Sequence, residues 1–163
     1  QIHWGLMAFV FGLSHLAFLV TLPAVGEQAS GRSLLLFLVF PVELSDVLQY
    51  VWGKTLGRHK IIPAVSPNKT WEGFLGGVLS TVAASLAIRF LTPFSVPACL
   101  GIALLVTVAG FFGGAVMSAI KRDFGVKDFG ALIPGHGGML DRVDSLCYAA
   151  PLFFHVVRYS YYP

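Results

Sequence analysis

The stretch from Ala98 to Met117 reads ACLGIALLVTVAGFFGGAVM, twenty consecutive residues without a charged side chain. A helix needs about 20 predominantly apolar residues to cross the hydrocarbon core of a bilayer. The run is apolar without a break, whereas a half-exposed strand would alternate polar and apolar residues. This stretch therefore predicts a transmembrane helix.

Further runs of the same character lie on both sides of it. The five predicted spans are Ile2 to Leu22, Ser33 to Trp52, Phe74 to Leu91, Ala98 to Met117, and Ser145 to Tyr162. Of the 163 residues, 56% are hydrophobic and 12% are charged, against roughly 25% charged in soluble domains. A soluble helical protein is the alternative, but five helices that are hydrophobic all round would leave none to face water. We predict an all-α, polytopic membrane protein of about five transmembrane helices with two polar cytoplasmic loops, forming a single membrane-embedded domain over residues 1–163.

The positive charges predict the orientation of these spans. The loops after the second and fourth spans share one side of the membrane and hold eight of the 11 Lys and Arg residues: Lys54, Arg58, Lys60, Lys69, Lys121, Arg122, Lys127 and Arg142. By the positive-inside rule both loops are cytoplasmic. We therefore expect an integral membrane protein of a bacterial-type inner or plasma membrane, with its active site facing the cytoplasm.

Two other features exclude classes of site. Cys99 and Cys147 lie inside predicted spans, without the paired spacing of a zinc or redox site. The net charge is only +3, and no basic helix or aromatic-basic platform indicates a nucleic-acid partner.

Small residues recur at a spacing that favours close helix packing in lipid. Gly73, Gly76 and Gly77 lie at the start of the third span, and the fourth span repeats the pattern at Gly110, Gly113 and Gly114. Such spacing lets two helix backbones approach each other. Close packing of these two helices against their neighbours is therefore predicted.

The second span contains acids. Glu43, Asp46, Tyr50 and Gly53 follow the spacing of one helix face. Glu43 lies about 15 Å from the cytoplasmic end of the span, where an acid costs roughly 2.5 to 3.5 kcal/mol on insertion scales. The face is predicted to look into a polar cavity or toward a partner cation. A protonated Glu43 that hydrogen-bonds a neighbouring helix is the alternative.

The first polar loop ends in the sequence SPNKTWEG, residues 66–73. It places hydroxyl, amide and ammonium donors just before the third span, and anions bind readily at helix N-termini. We predict that these donors bind substrate phosphates: Ser66, Asn68, Lys69 and Thr70. The alternative is that the cations of this loop only fix topology and contact lipid headgroups.

The second polar loop reads SAIKRDFGVKDFGALIPGHGGMLDRVD, residues 118–144. Asp141 and Asp144 lie three apart at the predicted start of the last helix, so their carboxylates are expected to share a face. With Asp128 they provide the oxygen ligands that suit Mg²⁺, which takes one or two carboxylates plus substrate phosphates and water. Capping of the last helix is the alternative for Asp141 and Asp144.

This loop resembles the signature of the phosphatidate cytidylyltransferase (CDP-diacylglycerol synthase) family. The matching positions run without a gap: Ser118, Lys121, Arg122, Lys127, Asp128, Gly130, Ile133, Pro134, His136, Gly137, Gly138, Met139, Asp141, Arg142, Val143 and Asp144. The likeness extends upstream over Asp46 and residues 66–73. Most members carry further hydrophobic spans ahead of this region, so we expect that N-terminal transmembrane helices precede the sequence, which begins at Gln1 rather than Met.

The resemblance implies a reaction in which CTP and phosphatidate, or a related lipid phosphate, give CDP-diacylglycerol and pyrophosphate with Mg²⁺ as cofactor. It implies a catalytic set of Asp128, Asp141, Asp144, Lys127 and His136, with the three acids and Asp46 as metal ligands. The residues implied to bind substrate are Lys121, Arg122, Arg142, Gly137 and Gly138, besides Ser66, Asn68, Lys69 and Thr70. Membrane lipids and a second copy of the chain are further expected partners.

Four other functions compete with this interpretation. A CDP-archaeol-forming enzyme would use another lipid, and a CTP-dependent polyprenol kinase would transfer the γ-phosphoryl group to an alcohol. The segment from Glu43 to Tyr50 departs from the family pattern, which leaves the lipid acceptor open. An ion-coupled transporter would use Glu43 and Asp46 but would not need the loop signature. An inactive relative is disfavoured because the signature is intact.

Overall fold

The computed structural model describes residues 2–24, 29–130 and 138–162. The α-helices of this part of the chain are α1 (Ile2–Thr21), α2 (Gly31–Leu56), α3 (Trp71–Ser85), α4 (Val96–Asp123) and α5 (Leu146–Tyr161). Short 3₁₀ turns follow α3 (Leu86–Leu91) and precede α5 (Leu140–Arg142). Each predicted span overlaps one of the α-helices, and the span from Phe74 to Leu91 covers most of α3 together with the 3₁₀ turn that follows it. The prediction of an all-α membrane protein is confirmed.

Three helical stretches of the described chain are long and apolar enough to cross a membrane: Gly31–Leu56, Trp71–Leu91 and Val96–Asp123. The part of α1 from Gly5 to Thr21 is a shorter apolar helix, and α5 has 16 residues. Pro41 lies inside α2 and Pro151 inside α5, as membrane helices tolerate when neighbours satisfy the freed backbone groups.

A β-hairpin lies between α2 and α3, where the sequence predicted only a polar loop. Strand β1 (Lys60–Ile62) pairs with strand β2 (Ser66–Thr70) in antiparallel orientation. The hairpin is attached to α3 because Glu72 Oε2 accepts hydrogen bonds from the backbone N–H groups of Arg58 and His59, at 3.1 and 3.2 Å. Residues 66–70 are therefore a strand, and only Thr70 belongs to the helix end, as its N-cap.

The glycines of α3 allow it to lie directly against α2. A β-carbon at Gly73 would come within 2.7 Å of the Gln49 carbonyl oxygen, and one at Gly77 would meet the backbone of Gln49. On α4, a β-carbon at Gly113 would lie 3.0 Å from the Ser145 carbonyl oxygen. The predicted close packing at both glycine clusters is confirmed.

An apolar core forms where α2, α4 and α5 meet, on the side of the molecule away from the hairpin. Its fully buried side chains include Leu34, Phe37 and Leu38 of α2, Cys99 and Val106 of α4, and Phe153 and Val157 of α5. This packing brings the middle of α2, the C-terminal half of α4 and the segment before α5 together beneath the hairpin.

Candidate functional site

A cavity of about 250 Å³ opens where the hairpin, α2, α3, α4 and the segment before α5 converge. Its lining residues are Asp46, Gln49, Tyr50, Ser66, Asn68, Lys69, Thr70, Phe74, Phe111, Gly114, Ser118, Asp144 and Ser145. Residues predicted independently from the two polar loops and from α2 therefore share one cavity.

One wall of the cavity is strand β2, which contributes neutral donors and one cation. Lys69 reaches from the strand to α4, where its ammonium nitrogen donates a long hydrogen bond of 3.4 Å to the Phe111 carbonyl and lies 4.6 Å from the centre of the Phe111 ring. Burial lowers the pKa of Lys69 from its ordinary value, against the opposing effect of the Asp46 and Asp144 carboxylates. The Lys69 ammonium is therefore partly buried and lies near the carboxylates of Asp46 and Asp144.

Two carboxylates joined by a serine also line the cavity. The buried Ser145 hydroxyl donates a hydrogen bond of 2.7 Å to Asp46 Oδ2, and its oxygen lies 3.4 Å from Asp144 Oδ1. Asp46 comes from the middle of α2, and Asp144 comes from the turn before α5. Asp46 was predicted on the polar face of its helix, and the structure places it in the cavity. Glu43 is exposed on α2 and is not among the described lining residues.

Asp144 also belongs to an ion cluster with Lys121 and Asp141. Lys121 Nζ lies 2.8 Å from Asp141 Oδ1 and 3.3 Å from Asp144 Oδ2. Asp141 Oδ2 accepts the backbone N–H groups of Phe129 and Gly138, each at 2.9 Å. Burial opposes ionisation of Asp141, but the Lys121 ammonium and the two N–H donors outweigh it and hold its pKa below the ordinary value.

Asp144 differs from Asp141 in its electrostatic surroundings. Burial raises the pKa of Asp144 above its ordinary value, although the ammonium groups of Lys121 and Lys69 act in the opposite direction. Asp144 faces the cavity, whereas Asp141 is enclosed by its partners. The two acids therefore have different environments despite their proximity in the sequence.

The placement of Asp141 and Asp144 on one face of the last helix was wrong. Helix α5 begins at Leu146, and both acids precede it, Asp141 within the 3₁₀ turn Leu140–Arg142. They come together because both bind Lys121. Asp141 also accepts N–H groups of Phe129 and Gly138, which lie outside α5, so capping of that helix does not account for it.

A sequence profile described as the cytidylyltransferase family matches residues 1–160. The chain belongs to this cytidylyltransferase family.

Curated relatives agree with that membership. The chain is 52% identical over 162 residues, 99% of its length and 54% of the relative, to the uncharacterized protein YnbB of Escherichia coli (strain K12). It is 41% identical over 127 residues, 77% of its length and 49% of the relative, to a phosphatidate cytidylyltransferase of Staphylococcus aureus (strain COL). A phosphatidate cytidylyltransferase of Staphylococcus saprophyticus is 39% identical over the same shares. The chain spans about half the length of the curated relatives it matches.

Other residues of the cytidylyltransferase signature lie outside the cavity. Lys127 and Asp128 are exposed, and Asp128 lines a separate, mostly apolar cavity of about 520 Å³ beside α1. Within residues 2–24, 29–130 and 138–162, no three His, Cys, Asp or Glu side chains form a group that could hold a metal ion. The structure therefore does not bring Asp128 together with Asp141 and Asp144 as a three-acid site.

The remaining predicted substrate-binding residues are placed as follows. Arg122 is exposed, with its Nε 3.4 Å from the Val65 carbonyl at the hairpin turn. Arg142 is also exposed. Gly138 is packed against Gly130, where a β-carbon would lie 2.9 Å from the Gly130 nitrogen. The predictions for His136 and Gly137 lie outside the described residues.

Several lining residues were not predicted as site residues. Ser145 was assigned only to an apolar span, and Phe74, Phe111 and Gly114 carry no polar side chain that would have marked them. Gln49, Tyr50 and Ser118 could have been found: the first two lie one turn after Asp46 on α2, and Ser118 begins the loop signature. The carboxylates of Asp46 and Asp144 in one cavity fit Mg²⁺, which takes one or two carboxylates plus substrate phosphates and water.

Proposed function

We propose that the chain is the catalytic portion of a CTP-dependent phosphatidate cytidylyltransferase, which transfers CMP from CTP to the phosphate of phosphatidate or a related lipid phosphate. The products are CDP-diacylglycerol and pyrophosphate. One observation carries the proposal: Asp46 and Asp144 line the same cavity as the donors of strand β2, including Lys69. The relatives named as phosphatidate cytidylyltransferases support the choice of reaction.

The chemistry asks little of a general base. An oxygen of the lipid phosphate, already anionic, attacks the α-phosphorus of CTP and forms the new P–O bond. The bond from the α-phosphorus to the oxygen bridging the α- and β-phosphates breaks, and pyrophosphate leaves with that electron pair. The main barrier is repulsion between two anionic phosphates, which electrostatic stabilisation by fixed cations and donors lowers. The Lys69 ammonium and the hydroxyl and amide groups of β2 supply such stabilisation.

Asp46 and Asp144 are the residues that would hold Mg²⁺ from the cavity side. When bound, Mg²⁺ would neutralise phosphate charge and orient the triphosphate. The cluster around Lys121 fixes Asp144, and Asp141 lies behind it. The metal role of Asp128 and the catalytic role of His136 and Lys127 stay predictions.

The proposed site faces the cytoplasm, since residues 54–69 and 121–142, which surround the hairpin and the connection from α4 to α5, carry eight of the 11 Lys and Arg residues. CTP would then enter from the cytoplasm, and the lipid phosphate would come from the same leaflet. The position of Asp46 in the middle of α2 extends the cavity toward the bilayer.

The test uses purified full-length protein with Mg²⁺ and a panel of lipids in mixed micelles. Two preparations of CTP are compared, one labelled at the α-phosphorus and one at the γ-phosphorus. We expect α-label in the lipid phase with phosphatidate, no γ-label, and loss of incorporation with EDTA. Transfer of the γ-label to a polyprenol would favour a kinase instead, and absence of lipid label with every acceptor would refute the proposal.

A further inference from the structure

Ser145 occupies a central position between the two cavity carboxylates, although it is a single serine at the start of an apolar run. It is 4% exposed, and its hydroxyl hydrogen points to Asp46 of α2, 99 residues away in sequence. A hydroxyl carries one proton, so it donates to only one carboxylate at a time. The shorter distance of 2.7 Å, against 3.4 Å to Asp144, shows that Asp46 is its acceptor.

This contact limits the separation of the two acids. The distances from Ser145 Oγ to Asp46 and Asp144 together restrict the two carboxylate oxygens to at most about 6 Å apart. Two carboxylates this close repel each other in a partly buried place. A donor fixed between them offsets part of that repulsion and keeps Asp46 turned toward the loop rather than along α2.

Glycines in α4 leave space for the Ser145 hydroxyl beside Asp46. A β-carbon at Gly114 would lie 3.1 Å from Ser145 Oγ and 3.4 Å from Lys69 Nζ, and one at Gly110 would lie 3.8 Å from Ser145 Cβ. The glycine spacing seen in the sequence therefore admits Ser145 to the cavity wall. Any side chain at Gly114 would press on the hydroxyl that reaches Asp46.

We propose that Ser145 is a positioning residue, which holds Asp46 of α2 beside Asp144 of the loop so that both carboxylates can bind one divalent cation. The inference rests on the proposed function for its cation and adds a residue that neither the signature nor the polar loops had marked. Ser145 itself contacts neither substrate nor product in this role. Its effect on catalysis passes through the geometry of the two acids.

The first test measures cation binding directly, without CTP or lipid. Mn²⁺ binding to the full-length protein is followed by electron paramagnetic resonance for wild type, Ser145→Ala and Ser85→Ala. Ser85 is also a fully buried serine, but its hydroxyl donates to the Thr81 carbonyl, and neither residue is among the described lining residues of the cavity. We expect Ser145→Ala to weaken Mn²⁺ binding about tenfold and Ser85→Ala to leave it unchanged. Wild-type affinity in a folded Ser145→Ala protein would overturn the proposal, as would absence of Mn²⁺ binding by wild type.

A second variant keeps Ser145 and both acids while disturbing their contact. Gly114→Ala would crowd the hydroxyl, whereas Gly101→Ala in the same helix has open space around its β-carbon. We expect Gly114→Ala to weaken Mn²⁺ binding and Gly101→Ala to have no effect; equal binding by both would count against the proposal.

Activity then separates the two proposals. If wild type transfers CMP, Ser145→Ala should need about tenfold more Mg²⁺ for half-maximal rate and recover much of its kcat at saturating Mg²⁺. If wild type transfers no CMP to any lipid, the proposed function fails, while the Mn²⁺ measurements still decide the role of Ser145.

Discussion

Lys121 Nζ lies 2.8 Å from Asp141 Oδ1, and the two side chains are only 11% and 8% exposed. The pair joins the C-terminal end of α4 to the turn that precedes α5. The same ammonium lies 3.3 Å from Asp144 Oδ2 and 5.2 Å from the centre of the Phe129 ring. One buried ammonium thus pairs with two carboxylates, so removal of the lysine leaves both carboxylates without that cation.

Lys121→Met should destabilise the protein strongly. It removes the ammonium while keeping a side chain of similar length, and breaking a buried ion pair from one side typically costs about 3–5 kcal/mol. The free energy of unfolding in detergent measures the effect, with Lys127→Met, which removes an exposed lysine from the loop after α4, as the control. A Lys121→Met protein as stable as the control would contradict the importance of the cluster.

Asp141→Ala should abolish CMP transfer while leaving membrane insertion intact. The substitution removes the acceptor of the Phe129 and Gly138 N–H groups and the partner of Lys121, so the loop loses its anchor beside Asp144. Faster hydrogen exchange at the Phe129 and Gly138 amides would accompany the loss. Activity assays and membrane fractionation measure the two effects, and near-normal turnover would refute the role assigned to Asp141.

Lys69→Met should weaken CTP binding. A hydrogen bond to a charged group contributes roughly 1.5–3 kcal/mol, so the KM for CTP should rise at least about tenfold. The matched control is Lys60→Met, which removes an exposed lysine from strand β1 of the same hairpin. An unchanged KM in Lys69→Met, or an equal rise in both variants, would show that Lys69 does not bind the nucleotide phosphates.

The helices could be predicted because the bilayer sets their length and composition. The run from Ala98 to Met117 lies wholly within α4 (Val96–Asp123), and polar residues at the C-terminal end extend the helix beyond the apolar run. The hairpin could not be predicted in the same way. Its strands have three and five residues, too few for a clear alternating pattern. It is attached to α3 by hydrogen bonds that the Glu72 carboxylate accepts from backbone N–H groups.

Site residues could be predicted only where neighbouring residues in the sequence have side chains typical of phosphate or cation binding. Lys69 and Asp144 lie in polar loops whose residue types indicate phosphate and cation binding, and both line the cavity. Ser145 carries no such signal, since its importance depends on Asp46, 99 positions earlier in the chain. The spacing of Asp141 and Asp144 indicated proximity correctly but for the wrong reason, because Lys121 rather than a helix face brings them together.

The orientation of the chain leads to a labelling prediction. Lys60 in the hairpin and Ser95 in the turn before α4 are both exposed, and the helical stretch Trp71–Leu91 separates them. The native Cys99 and Cys147 are buried and can be replaced by alanine to give a background without thiols. A membrane-impermeant maleimide should label Ser95→Cys in intact cells and Lys60→Cys only after permeabilisation, because the positive-inside rule predicts that the hairpin is cytoplasmic. The reverse pattern would place the cavity outside, away from cytoplasmic CTP, and labelling of both positions in intact cells would contradict a membrane span between them.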